Sequence, residues 1–256
     1  MAQVKSVIVM NGAVDGMVFY TRNGRTYVRR RPTRRTNPHY SEAQLRNMMS
    51  WTNVIHLWRC FWTGRPTFET LKEGTTHYNM FVSANRHGEL PILSRHESAN
   101  NGCVVFAAWM SLGSLPAIAV EADGVGCRTD VAVGSWEPTE QSTVADFSRA
   151  VLRNNKGFAP GDTLRYWCAE QRIIDDVPSA VGHMEYVTLN RRNYSKLKSG
   201  HGFAVRDGFV ASNWLPLGGQ TWVHERPMPS GRILHSPQQL VVNNSALLQQ
   251  CKIINN

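Results

Sequence analysis

The sequence predicts a mainly β, α+β chain: an antiparallel β-sandwich or partly open barrel, preceded by a hairpin, an extended basic arm and an amphipathic helix. Three observations carry this. From residue 103 on, short apolar segments recur roughly every ten residues, separated by Gly, Asn, Ser and Pro. Asn23-Gly24 and Asp207-Gly208 sit between runs of β-formers, as two-residue hairpin turns require. Ser41 opens a helical run with a capping signature.

In chain order, VKSVIVM (4–10) reads as a short buried strand, and Asn11-Gly12 and Asp15-Gly16 as turn dipeptides. Val18–Tyr20 and Thr26–Arg30 flank Asn23-Gly24, a pair that supplies the positive φ angles of a type I′ turn at low cost. The two strands alternate β-formers with arginines, which predicts an apolar or aromatic face opposite a basic one. Pro32 and Pro38 bracket the arm and favour an extended segment without sheet partners. Ser41 with Gln44 makes a capping box, and Tyr40 and Leu45 are spaced for a hydrophobic staple. Leu45, Met48, Met49, Ile55, Trp58 and Trp62 follow at helical spacing, widened by Trp51 and Phe61; Gly64 and Pro66 end the helix.

TFETLKE (67–73) and TTHYNMFVSAN (75–85) carry helical patterns, with Glu69 and Glu73 on solvated faces. The segments 103–110, 115–122 and 127–134 read as antiparallel strands, and Thr143 caps a helix to about Arg153 with Asp146 three residues on. Pro160-Gly161-Asp162 turns into a strand over 163–171, another spans 183–189, and 203–212 folds back at Asp207-Gly208. QTWVHERP and RILHSPQQLVV pair across MPSG, and SALLQQCKI closes the chain with a turn or two of helix. The domain reading is 1–88 for hairpin, arm and helical region and 89–256 for the β-rich body, with a further boundary near 137–157.

The chain has 256 residues, 42% of them apolar, enough to bury a sizeable core. Charged residues are 18%, below the usual ~25%. The formal charge is +9, and it is concentrated: Arg22, Arg25, Arg29, Arg30, Arg31, Arg34 and Arg35 fall in one stretch without an acid. Subtracting these seven leaves +2 for everything else. Guanidinium groups fork onto phosphate or carboxylate and stack on flat rings. With Tyr20 and Tyr27 interleaved among them, residues 22–35 are candidates for nucleic acid, for an acidic partner, or for a solvated basic surface. The Trp/Met helix face is first a core contact and second a subunit interface, with Trp51, Trp58 and Trp62 its anchors.

Chemistry is sparsely signalled. Five cysteines are scattered without CxxC, which reads as free thiols in a reducing compartment. No Walker loop, GxGxxG, HExxH or GxSxG occurs, and the spacing of His87, His96 and Cys103 matches no zinc pattern. No apolar run approaches a membrane span, and VIVM near the N-terminus is too short for a signal-peptide core. The expectation is a non-enzymatic protein without catalytic residues, metal or cofactor. It would lie in the cytoplasm, or in a virion assembled there, within a homo- or hetero-oligomeric assembly.

The run GxVFYxRNGxTYVRxRPxxxxNPxxxxAQLRxxxxW, from Gly16 to Trp51, resembles the N-terminal motif of an uncharacterised Bacteroidota family. Similar basic-arm-plus-AQLR segments occur in phage structural proteins. The stretch from Trp222 to Asn244 is similar to the same group, while Tyr40-Ser41 departs from its Arg/Lys-Thr-Pro helix start. The resemblance covers about a third of the chain, implies no enzymatic activity and transfers no catalytic residues.

Overall fold

A computed structural model describes residues 2–4, 11–22, 24–32, 39–69, 75–87, 90–198, 200–214 and 217–243. The fold is mainly β with helices, built from several antiparallel sheets and no closed barrel.

The N-terminal sheet contains β1 (Ala2–Val4), β2 (Gly12–Val14), β3 (Met17–Arg22) and β4 (Arg25–Arg30), in the order β1-β4-β3-β2. Asp15 (φ 46) and Gly16 (φ 74) make the tight turn their sequence predicts, and Gly24 (φ 70) sits between the paired Arg22 and Arg25. Register corrects the expected division of faces. Tyr20 pairs with Tyr27 and Val18 with Arg29, so Tyr20, Tyr27, Arg25 and Arg29 share one face. Val14, Met17, Phe19 and Val28 lie on the other. The reason is the period of two along β4, which puts Arg25, Tyr27 and Arg29 on one side.

Helix α1 (Glu42–Cys60) starts as expected: the Gln44 amide donates to Ser41 Oγ at 3.3 Å and the Ser41 amide to Gln44 Oε1 at 2.9 Å. Its buried stripe is Val54, Leu57, Trp58 and Phe61. The expected stripe through Met48, Ile55 and Trp62 is displaced, since Met48 is 48% and Trp62 79% exposed. The stripe turns because Asn53 and His56 are buried with it as backbone partners: Asn53 bonds Val104, and His56 Nδ1 lies 2.6 Å from the Gly102 carbonyl. Helices α2 (His77–Asn85) and α3 (Arg95–Ala99) follow, the latter under its own Ser94/Glu97 capping box.

Strands β5 (Trp109–Ser111), β6 (Val120–Ala122) and β7 (Cys127–Ala132) are shorter than the apolar runs containing them. Residues 103–108 are not a strand, because side-chain amides take over their backbone bonds. Asn53 holds both polar groups of Val104, and Gln171 bonds the Val105 amide and the Cys103 carbonyl. Helix α4 (Val144–Asn154) carries the predicted Thr143/Asp146 box. Strands β8 (Thr163–Ile174) and β9 (Val177–Thr188) form a long hairpin through Asp175 and Asp176, both at positive φ. Then come β10 (Ala204–Arg206), β11 (Phe209–Ala211), β12 (Gly218–Pro227), β13 (Ile233–His235), β14 (Gln238–Gln239) and β15 (Val241–Val242).

The sheet β13-β12-β8-β9, joined by β15, is the middle layer. One face carries Leu164, Tyr166, Cys168 and Trp222 and packs with α4 and the sheet β10-β11-β7-β6 through Phe147, Cys127, Val131 and Val210. The opposite face carries Trp167, Ala169 and Val223 and packs on α1, α2 and residues 103–110. Two covered faces explain why β12 is buried over eight consecutive positions. The core therefore runs across the boundary expected near 85–90, and α4 seals one face of it where a second boundary was expected. None of the described residues among 2–32 belongs to a buried cluster.

Candidate nucleic-acid interface

Tyr20 and Tyr27 meet directly across β3 and β4, with ring centroids 5.6 Å apart and planes 21° from parallel. The Arg29 guanidinium lies over the Tyr20 ring, 5.8 Å from its centroid. Both tyrosines are half-buried, while Arg25, Arg29, Arg30 and Arg31 are exposed. None of these four arginines forms an ion pair among the described residues. Register places Arg22 opposite Arg25 at the hairpin's end. Arg34, Arg35 and the rest of 33–38 lie outside the described residues, as do all but Val4 of the strand expected over 4–10 and the terminal helix.

The platform rests on local chemistry. The Thr21 amide donates to Asn11 Oδ1 at 2.8 Å, tying β3 back to the entry of β2. The hydroxyls of Thr21 and Thr26 meet at 3.4 Å on the reverse face, where Thr26 is buried. Paired rings ringed by unneutralised guanidinium groups suit stacking with bases and forked contact with phosphate.

The interface residues of α1 separate. Trp58 is 5% exposed and packs on Tyr78 and Phe81 at 5.7 and 5.3 Å, so it belongs to the core and leaves the interface set. Trp51 is 43% exposed; Trp62 is more so, and Arg65 lies over its ring. Tyr40 and Leu45, spaced for a staple, line one 440 Å³ groove with Met48 and Met49.

Sequence reading missed two buried polar centres. Asp162 accepts from His224 Nε2 at 2.6 Å and from Arg226 at 2.9 and 2.7 Å, and Phe158 stacks on the imidazole. Burial alone raises the Asp162 pKa, but the bonds from Arg226, His224 and the Ala159 amide outweigh it and bring it to about 2. The 250 Å³ cavity beside His224 is lined by no Ser, Thr or Cys that would serve as a nucleophile. Glu69, expected on a solvated helix face, is instead a buried acceptor for Ser114, the His235 amide and Arg232. Neither centre had a local signal, because its members come from segments far apart in sequence.

The described cysteines are free thiols; burial pushes Cys127 up to about 11 and Cys168 up to about 12. Neither offers a thiolate at neutral pH. Among the described residues no group of three or more His, Cys, Asp or Glu is arranged to hold a metal, and no helix is long and apolar enough to cross a membrane. Comparisons with family models, curated proteins and solved structures find no match for the chain.

Proposed function

We propose that this chain is a non-enzymatic binding protein of a larger assembly, whose N-terminal sheet docks onto single-stranded nucleic acid. The observation that carries the reading is the shared face: half-buried Tyr20 and Tyr27 lie together with exposed Arg25 and Arg29, and no carboxylate among the described residues pairs with either arginine. A single strand presents flat bases and a charged backbone at once, and this face offers a partner for each. Arg30 lies across from Met17 on the opposite face and Arg31 follows the end of β4, both exposed, so they add positive charge around the sheet rather than on the tyrosine face itself.

The setting is a multi-subunit particle, a phage virion being the case the sequence resemblance favours. The exposed Met48, Trp51 and Trp62 support docking onto neighbouring subunits as a second role for the same N-terminal region.

Titration of a labelled oligothymidylate by fluorescence polarisation over a salt series tests the reading. Affinity falls steeply with salt, and replacing Arg25, Arg29, Arg30 and Arg31 by Ala lowers the logarithmic slope by about 3, at ~0.7 per neutralised phosphate. Tyr20→Ala with Tyr27→Ala weakens binding by about 1–3 kcal/mol per lost stack and leaves the slope in place. Binding that ignores both sets of changes rejects the proposal.

A further inference from the structure

One further cavity belongs to neither the tyrosine platform nor the buried ion pairs. It is a cleft of about 580 Å³ that follows residues 184–188 of β9, with Asn193, Ser195, Lys196, Leu197, Lys198 and Gly200 on its opposite wall. In the order β13-β12-β8-β9 this strand is an edge, paired on one side only among the described residues. It is long for an edge strand, at twelve residues, and exposed edges of that length are normally blunted or covered.

The register says which backbone groups are free. β8 and β9 join through the two-residue turn at Asp175-Asp176, so Ile174 and Val177 are a hydrogen-bonded pair. Bonded pairs alternate from there, and the even-numbered residues of β9 point their N–H and C=O away from β8. The Pro178 carbonyl agrees, since it accepts from the Cys103 amide at 2.6 Å on that outer side. Near Gly182 the last turn of α1 closes in: a Cβ there would lie 2.6 Å from Phe61 and 2.7 Å from the Cys60 carbonyl. Beyond it, Met184, Tyr186 and Thr188 keep their outward groups unpaired among the described residues. All three line the cleft.

The wall is fixed. The Val144 amide bonds the Ser195 carbonyl, and the Leu197 amide bonds Ser142, anchoring the wall to the start of α4. Leu197, Phe203 and Val144 give the cleft an apolar floor. Lys196 and Lys198 stand exposed on its rim, without ion pairs among the described residues. The one carboxylate inside, Glu185, is already occupied by the amides of His201 and Gly202 at 2.9 and 3.0 Å.

We infer that this cleft takes up an extended acidic peptide as an added strand, antiparallel or parallel to β9 at Met184, Tyr186 and Thr188. The outward amides and carbonyls supply the ladder, the apolar floor takes alternate side chains, and the two lysines select carboxylates between them. A second copy pairing edge to edge is the poorer fit, because its own Lys196 and Lys198 would meet the first pair in the same cleft.

The probe is a labelled ten-residue peptide of alternating valine and glutamate, compared with one of alternating valine and lysine. Polarisation should show the acidic peptide binding at least roughly tenfold tighter, and Lys196→Glu with Lys198→Glu should reverse the preference. Amide exchange followed by NMR should slow at Tyr186 and Thr188 on addition of the acidic peptide, while Glu185 and Val187, already bonded to β8, stay unchanged. Tyr186→Pro removes an outward donor on an edge strand that already tolerates Pro178, and should cut binding by about tenfold. Equal affinity for both peptides, or no slowing at those amides, overturns the inference. So does protection that appears with protein concentration alone, which assigns the edge to a second copy. None of these readouts depends on the N-terminal sheet.

Discussion

Arg165 and Arg226 in the body each hold a carboxylate through two hydrogen bonds, Glu225 at 2.9 and 2.8 Å and Asp162 at 2.9 and 2.7 Å. In the N-terminal region, Arg25, Arg29, Arg30 and Arg31 hold none among the described residues. Arg128, Arg149, Arg172, Arg206 and Arg232 repeat the body's pattern with Asp207, Asp146, Glu170, Asp123 and Glu69. The difference accounts for the charge distribution. In the body, many guanidinium groups have an acid and the pair serves the fold; in the N-terminal region, these four have none among the described residues. A desolvated carboxylate is tolerated only when its partners stay, so the two regions should respond oppositely to the loss of a charge.

Asp162→Ala is the sharpest way to break the comparison. It removes the shared acceptor of His224 and Arg226, at a side chain 2% exposed, and should destabilise the fold by about 3–5 kcal/mol in urea denaturation. Replacing Arg25, Arg29, Arg30 and Arg31 together by Ala should change stability by less than about 0.5 kcal/mol, since no buried charge is orphaned. A loss of several kcal/mol from the arginine set would show that those residues have acid partners after all.

Acid should separate the regions in two stages. Burial holds the His235 pKa below its usual value, against the upward pull of Glu225 and Glu69, and burial does the same for His77. Both bind a proton more readily when unfolded, so their contribution is present above the unfolded value of about 6.5 and is lost as pH falls below it. Asp162 is the second stage. Its folded pKa of about 2 lies below the model-peptide range, so its contribution is present above about pH 4 and drains away between pH 4 and 2. Urea midpoints across pH 8 to 2 should show both falls. The hairpin from Met17 to Arg30 contains neither histidine nor carboxylate, and its amide protection should pass through that range unaltered. Matching losses in hairpin and body would mean that the two unfold as one unit.

How much of this was legible depended on how local the cause was. Asp15-Gly16, Asn23-Gly24 and Asp207-Gly208 mark turns because the constraint sits in the two residues themselves. Ser41/Gln44 and Thr143/Asp146 mark helix starts for the same reason, and Ser94/Glu97 carried the same signal. The tyrosine–arginine face was also within reach: Arg25, Tyr27 and Arg29 are two apart, and period two alone puts them together. Residues 103–108 were not legible as irregular, because their apolar run is silent about Asn53 and Gln171, which displace a neighbouring strand. The same distance hid Asp162 from His224, and Glu69 from Ser114 and Arg232.

The smallest expected effect is the most informative about organisation. Removing residues 1–32 deletes the tyrosine platform and the exposed Arg25, Arg29, Arg30 and Arg31, but, among the described residues, no member of a buried cluster. Thermal and urea midpoints of the remaining chain should therefore move by less than about 0.5 kcal/mol, while affinity for the oligothymidylate falls to that of the arginine-free variant. If the midpoint drops by more than about 1 kcal/mol, the apolar face of Val14, Met17, Phe19 and Val28 is resting on the body in solution. The sheet would then be part of the fold it borders, and its arginines would be held in place by packing rather than standing free on a separate platform.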